Sequence, residues 1–173
     1  MTNLVPERLK IDDDLYLRRA QLRDASMWFR LIDANRAHLE SFGDLAGFTI
    51  RDAVRERQLR QDAVVAGKEL DYWIVADDEV VGNVGMSLRG SGTGLMGYWL
   101  AEDAQGYGYA TRSARRLMQH GVCHRGVAQV ELMIEPSNAP SQAVAERIGA
   151  VLVHEADLPI EKYDIWRASQ DAR

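Results

Sequence analysis

The segment Gln105-Gly106-Tyr107-Gly108-Tyr109-Ala110-Thr111 constrains the fold more than any other part of the chain. It stands where the hydrophobic period changes. Upstream, residues 95–101 read as a strand; downstream, Ala110, Ala114, Leu117, Met118, Gly121 and Val122 recur at the spacing of a core-facing helical stripe. A strand that passes through two glycines into a long helix leaves the first N–H groups of that helix without intrahelical partners, and the helix dipole favours an anion beside them. Gly106, Gly108 and Ala110 keep side chains small, so a pyrophosphate can approach the backbone closely. Taken alone, two glycines before a helix fit a plain tight turn equally well. Two familiar phosphate loops fit poorly. No Gly-Lys-Ser or Gly-Lys-Thr triplet supplies the lysine and magnesium-binding hydroxyl of a nucleoside-triphosphate site. Gly106 and Gly108 match the first two glycines of a dinucleotide fingerprint, but Thr111 takes the place of the third and a hairpin pattern precedes the loop.

The remaining elements follow from period and punctuation. Leu15 and Leu17 alternate with polar neighbours in a half-buried strand. Asp24 is placed to cap a helix carrying Ala25, Trp28, Ile32 and Leu39 and ending near Gly43, and Thr49 with Asp52 opens a second helix that runs to about Gly67. Tyr72, Ile74 and Ala76, the turn Asp77-Asp78-Glu79, and then Gly82, Val84, Met86 and Leu88 predict an antiparallel hairpin, with residues 95–101 as a third strand after a glycine-rich loop. Val130, Leu132 and Ile134 alternate within a strand over 127–135. A short helix over 138–148 and closing strands over 150–154 and 163–167 complete the chain. With only one strand-helix-strand crossover, the order predicts a single α/β (α+β) domain over residues 1–173: a mixed, mostly antiparallel central sheet of about seven strands flanked by about four helices.

Composition narrows the partners. A formal net charge of -5 supplies no broad cationic field for nucleic-acid phosphates. No apolar run is long enough to span a bilayer and no signal-peptide pattern opens the chain, so neither nucleic acid nor membrane is expected as a partner and a cytoplasmic setting is. Cys123 is the only cysteine, which excludes an intrachain disulfide; its place among core-helix residues predicts packing, with no histidine-acid pattern to make it a nucleophile. His120 and His124 have zinc-compatible spacing but no third ligand in sequence, so no metal is expected.

Gln105, Gly108 and Ala110 fit the pyrophosphate loop of the GCN5-related N-acetyltransferase (GNAT) superfamily, which reads Gln or Arg, two residues, Gly, one residue, Gly or Ala. Gly97-Tyr98-Trp99-Leu100 resembles the preceding strand in the branch of ribosomal-protein N-terminal acetyltransferases (the RimJ/RimL type), and the stretch from Asn138 through Ser141 to Gly149 is similar to the next helix of that branch. The resemblance covers nearly the whole chain, strongly over 80–153 and weakly over the two amino-terminal helices.

It implies an acyl-coenzyme A-dependent N-acetyltransferase that uses acetyl-CoA, or another acyl-CoA, as co-substrate and transfers directly within a ternary complex to an amine-bearing acceptor, a protein N-terminus or a small molecule. The strands over 95–101 and 127–135 would part at their carboxyl ends around pantetheine. Backbone groups of Trp99, Leu100 and Ala101 would pair with it, and Gln105, Gly106, Tyr107, Gly108, Tyr109, Ala110 and Thr111 would hold the pyrophosphate. Asn138, also a good helix cap, would contact the pantetheine arm. Ser141 would hydrogen-bond the sulfur and protonate the leaving thiolate. Family members often carry a glutamate just before the Gly-Tyr-Trp segment, where this chain has Leu95 and Met96; Glu40 and Glu135 are the candidate bases by location, with a water chain as the alternative. Trp28, Phe29, Phe42, Phe48, Tyr163 and Trp166 lie in the segments that choose the acceptor, and as periodic aromatics they define no pocket. A homodimer is a family-based candidate assembly. The competing readings are an acyl-CoA sensor without turnover and a dinucleotide oxidoreductase.

Overall fold

The computed structural model describes residues 5–39, 47–153 and 163–169. Within them, period-two alternation produces one sheet of eight strands: β1 (Arg8–Lys10), β2 (Leu15–Arg19), β3 (Glu69–Ala76), β4 (Glu79–Arg89), β5 (Thr93–Leu100), β6 (Gln129–Ile134), β7 (Val151–Val153) and β8 (Asp164–Ser169), in the order β1-β2-β3-β4-β5-β6-β8-β7. The α-helices are α1 (Ala25–Ala34), α2 (Arg36–Leu39), α3 (Ile50–Val65), α4 (Tyr109–Arg125) and α5 (Ala139–Arg147). Every strand pair is antiparallel except β5 with β6.

The expected plan stands, with counts that differ by one. The eighth strand is β1, whose Leu9 is buried between two exposed cations and pairs with Leu17. The fifth helix arises because the first expected helix breaks at Asn35. That side chain donates from Nδ2 to the Leu31 carbonyl at 2.9 Å, and its Oδ1 accepts from the Glu102 N–H at 2.9 Å. Asp24 does not cap α1 with its side chain. Its carboxylate instead accepts from the Gln21 N–H, the Arg18 guanidinium and, at 2.8 Å, Trp73 Nε1, which ties a 3₁₀ turn to the sheet. Thr49 and Asp52 form the reciprocal capping box expected at the start of α3. The β3–β4 turn places Asp77 and Asp78 at φ of 49° and 63°, the left-handed region that two-residue hairpins need and that aspartate tolerates.

Sheet alternation creates two different faces. One face packs Leu17, Tyr72, Ile74, Met86, Val130 and Leu132 against Leu117 of α4 and Ala145 of α5 in an almost wholly apolar core. The other packs Trp73 and Val75 against Trp28, Ile32 and Ala53 of α1 and α3. Here Trp28 lies 5.2 Å from Trp73 and 5.4 Å from Trp99, centroid to centroid. Arg57, 2% exposed, donates to Asp71 at 2.6 Å while Asn83 donates to the other carboxylate oxygen at 3.0 Å. The guanidinium also stands 5.0 Å from the Trp73 ring and 5.2 Å from that of Trp28, close enough for cation–π attraction.

Candidate active site

The parallel β5–β6 pairing runs through Thr93↔Gln129, Gly94↔Val130 and Leu95↔Glu131 and stops there, although β5 continues to Leu100 and β6 to Ile134. Beyond that point β5 stays on β4 as far as Gly82↔Leu100, and β6 stays on β8 as far as Ile134↔Asp164. Each strand thus keeps its outer neighbour and parts from the inner one. The cleft between them has a volume of about 180 Å³ and is lined by Met96, Gly97, Tyr98, Leu132, Met133, Ile134, Glu135, Asn138, Ser141 and Tyr163.

Amide direction sorts the expected backbone contacts. The Ala101 N–H donates to the Val81 carbonyl at 2.8 Å, so it points at β4. Alternation turns the Trp99 N–H the same way and leaves those of Tyr98 and Leu100 directed into the gap. Of the three expected residues, Leu100 is therefore the one whose amide faces the cleft, and Tyr98 joins it.

Next along the chain, Gly106 and Gly108 adopt φ of 85° and 75°, and a Cβ on either would meet nothing within 4 Å. Gly108 caps α4 without any side-chain hydrogen bond, so the first turn of a 17-residue helix presents its N–H groups to an open, glycine-bordered surface. Gln105 reaches from this loop to His38 of α2, Nε2 to Nε2, at 2.7 Å. Tyr107, 65% exposed, stacks on Tyr109 with centroids 5.5 Å apart. Arg112, ion-paired to Asp12, donates to the Tyr107 carbonyl at 3.2 Å and buttresses the loop from behind. Thr111 is buried beneath the turn, and Ala110 is half-buried against the apolar core.

Asn138 is the N-cap of α5, with Oδ1 accepting from the Ser141 N–H at 3.1 Å, and it lines the cleft as well. The cap reading holds, and the same residue remains at hand for a ligand. Ser141, half-buried in the first turn, also lines the cleft. Sequence reasoning missed Tyr98. Its hydroxyl donates to the Ser141 carbonyl at 3.3 Å, spanning from β5 to α5, and burial pushes its pKa up so that the phenol stays neutral. The signal was its place between Met96 and Leu100 on the core-facing side of a strand.

Of the two carboxylates, Glu135 lines the cleft, half-buried at the end of β6, and Glu40 lies outside the described residues, as does Phe42. Leu95 shares a sheet face with Glu131, the face away from α4, where the expected glutamate is lacking. Among the expected aromatics, Tyr163 borders the cleft; Trp28 and Trp166 are core, and Phe29 and Phe48 pack against the cluster around Trp28. Cys123 is exposed rather than packed, because it falls across α4 from the buried row Ala114, Leu117 and Gly121. His120 and His124 face each other with ring centroids 5.0 Å apart, and no cluster of metal-ligating side chains occurs among the described residues.

The model of the acetyltransferase (GNAT) domain matches residues 14–151. An uncharacterized N-acetyltransferase p20 of Bacillus licheniformis is 26% identical over 149 residues, covering 82% of this chain and 78% of its own. Two solved structures share the fold. RimL, a ribosomal L7/L12 alpha-N-protein acetyltransferase in complex with coenzyme A, superposes with a TM-score of 0.86 at 22% identity, over 96% of this chain and 100% of its own. The microcin C7 self-immunity acetyltransferase MccE, in complex with acetyl-CoA and AMP, superposes with a TM-score of 0.84 at 22% identity, over 98% and 99%.

Proposed function

The chain belongs to the GNAT acetyltransferase family, and from that premise we propose that it transfers an acetyl group from acetyl-CoA directly to a primary amine, either a protein N-terminus or a small molecule. One observation carries the reading: the only parallel strand pair described comes apart halfway, and its open end lies on the chain just before an uncapped, glycine-bordered helix N-terminus. Those two features suit the two halves of an acyl-CoA, an amide-bearing arm and a pyrophosphate. The antiparallel β4–β5 pair just before the loop disfavours the dinucleotide alternative, whose fingerprint follows a parallel strand.

Each residue then takes a role its geometry permits. The N–H groups of Gly108, Tyr109 and Ala110 hold the pyrophosphate, supported by the helix dipole. The amides of Tyr98 and Leu100 pair with the pantetheine arm as a strand would. The thioester supplies an activated acyl carbon; the amine nitrogen bonds to it as the carbon–sulfur bond breaks. Ser141 gives its hydroxyl proton to the leaving sulfur, and the proton that the amine loses, taken up by Glu135 or by water at the cleft mouth, returns to Ser141. No helix among the described residues is long and apolar enough to cross a membrane, and a cytoplasmic setting belongs to the same proposal.

Thermal-shift measurements with acetyl-CoA, coenzyme A, NAD and ATP test this reading, because a ligand that binds only the native state raises its melting temperature. Acetyl-CoA should raise it, and Gly108→Glu should abolish the shift. Thiol release on adding an amine then separates an enzyme from a sensor. Stabilisation by NAD alone, or by no ligand at millimolar concentration, overturns the proposal.

A further inference from the structure

The loop that opens α4 carries a ready-made aromatic stack. Tyr109 is half-buried against the apolar core, with the Arg112 guanidinium 5.3 Å from its ring, and Tyr107 lies on it at 5.5 Å with the two planes 21° apart. Arg112 also donates to the Tyr107 carbonyl, so the outer ring is positioned both by its neighbour and through its own main chain. Tyr107 nevertheless stays 65% exposed, its face turned from Tyr109 open to solvent. A Cβ on Gly106 or Gly108 would meet nothing within 4 Å, so the chain on either flank leaves space around the ring. An exposed apolar ring taken singly needs no explanation. A flat ring already stacked and oriented, in the same loop as the unpartnered N–H groups of a helix, suits a ligand that carries a planar heterocycle close to its phosphates.

We infer that the outer face of Tyr107 is the stacking platform for the adenine ring of the acyl-CoA donor. The inference rests on the acyl-CoA reading above and deepens it, because it assigns the nucleotide end of the donor to a side chain. Adenine is joined to the pyrophosphate through a single ribose, so a pyrophosphate on the N–H groups of Gly108, Tyr109 and Ala110 keeps the base within reach of this loop. The other long side chains there are engaged elsewhere: Gln105 is bonded to His38, Thr111 is buried beneath the turn, Arg112 is paired with Asp12, and Tyr109 is covered by Tyr107. Tyr107 alone of these offers an uncovered π face. Stacking of a base on an aromatic ring adds substantially to affinity, and less of it is lost to ordering when the ring is already held in place.

Two binding measurements, made without an amine, provide the test. Etheno-coenzyme A carries a fluorescent adenine that is quenched when it stacks on an aromatic ring, and S-acetyl-phosphopantetheine is the donor without its adenosine. The native protein should quench etheno-coenzyme A on binding, and Tyr107→Phe, which keeps the ring and loses the hydroxyl, should quench it equally. Because Tyr107 is mostly exposed, Tyr107→Ala should leave the fold intact. That variant should abolish the quenching at ligand saturation and weaken acetyl-CoA by about 5-fold or more, while its affinity for S-acetyl-phosphopantetheine stays within about 2-fold of native. Where the fragment binds too weakly to measure, the fluorescence decides. Binding without quenching in the native protein, quenching that survives in Tyr107→Ala, an unchanged acetyl-CoA affinity, or an equal loss for both ligands overturns the platform and leaves the acyl-CoA reading standing. Failure of the native protein to bind either acetyl-CoA or etheno-coenzyme A overturns that reading and this inference with it.

Discussion

The two faces of the sheet are built by different means. Against α4 and α5 the core is almost wholly apolar, and position there is set largely by volume. Against α1 and α3, Trp28 and Trp73 flank the guanidinium of a buried Arg57–Asp71 pair, and Asp24, Glu56 and Asn83 satisfy indole and carboxylate groups by directed bonds. Volume tolerates a change of side chain if the space is refilled, whereas a buried pair tolerates only the loss of both partners.

Breaking one member of the polar pair should have the largest effect. Asp71→Ala leaves the Arg57 guanidinium buried without its carboxylate and should cost about 3–5 kcal/mol in chemical denaturation, whereas the double variant Arg57→Met/Asp71→Leu should recover most of it. On the apolar face Leu117→Ala should cost about 2–5 kcal/mol, with no second deletion that restores stability. If the double variant on the polar face is no better than the single one, the contrast between the faces fails.

Acid sharpens the contrast at a single residue. Burial, then the neighbouring charges of His124, Arg116 and Arg125, push the His120 pKa down to about 4 from an ordinary 6.5. The unfolded chain therefore binds the proton first, so the stability held above pH 6.5 declines as pH falls toward 4. After allowance for solvent screening the loss should be about 1–2 kcal/mol, and His120→Gln should flatten that part of a melting-temperature curve. The smallest effect belongs to a surface cap: Thr49→Ala should lower stability by about 1 kcal/mol, because it deprives the first turn of α3 of its capping box.

Elements with several full periods were legible in the sequence: the β3–β4 hairpin, β5, α4 and β6 all lie where alternation or helical spacing placed them. Those decided by distant partners were not. β1 holds one apolar residue between two cations, too short for any period to register. Asp24 sits where a cap belongs, yet its carboxylate is drawn to Trp73, 49 positions away in sequence. The α1–α2 break is invisible locally because Ile32 and Leu39 keep helical spacing across it, and the side chain that marks it, Asn35, is engaged by Glu102. In the candidate site, the glycine loop and the Asn138–Ser141 turn were readable as local patterns. Tyr98 was legible only as a core-facing strand position, since the carbonyl its hydroxyl bonds lies 43 residues onward.

The unfinished pairing of β5 and β6 has a consequence for the protein's solubility. Unpaired amides along a strand are a template for another chain to add to, and proteins guard them at the margins of their sheets. Here such a stretch lies in the middle of the sheet, between neighbours that cannot leave it. It is short, from Met96 to Leu100, and the β4–β5 and β6–β8 pairings flank it on both sides, so it offers no free margin along which a second chain could extend the sheet. The sheet thus carries its unpaired amides in its interior rather than at an edge where aggregation would begin.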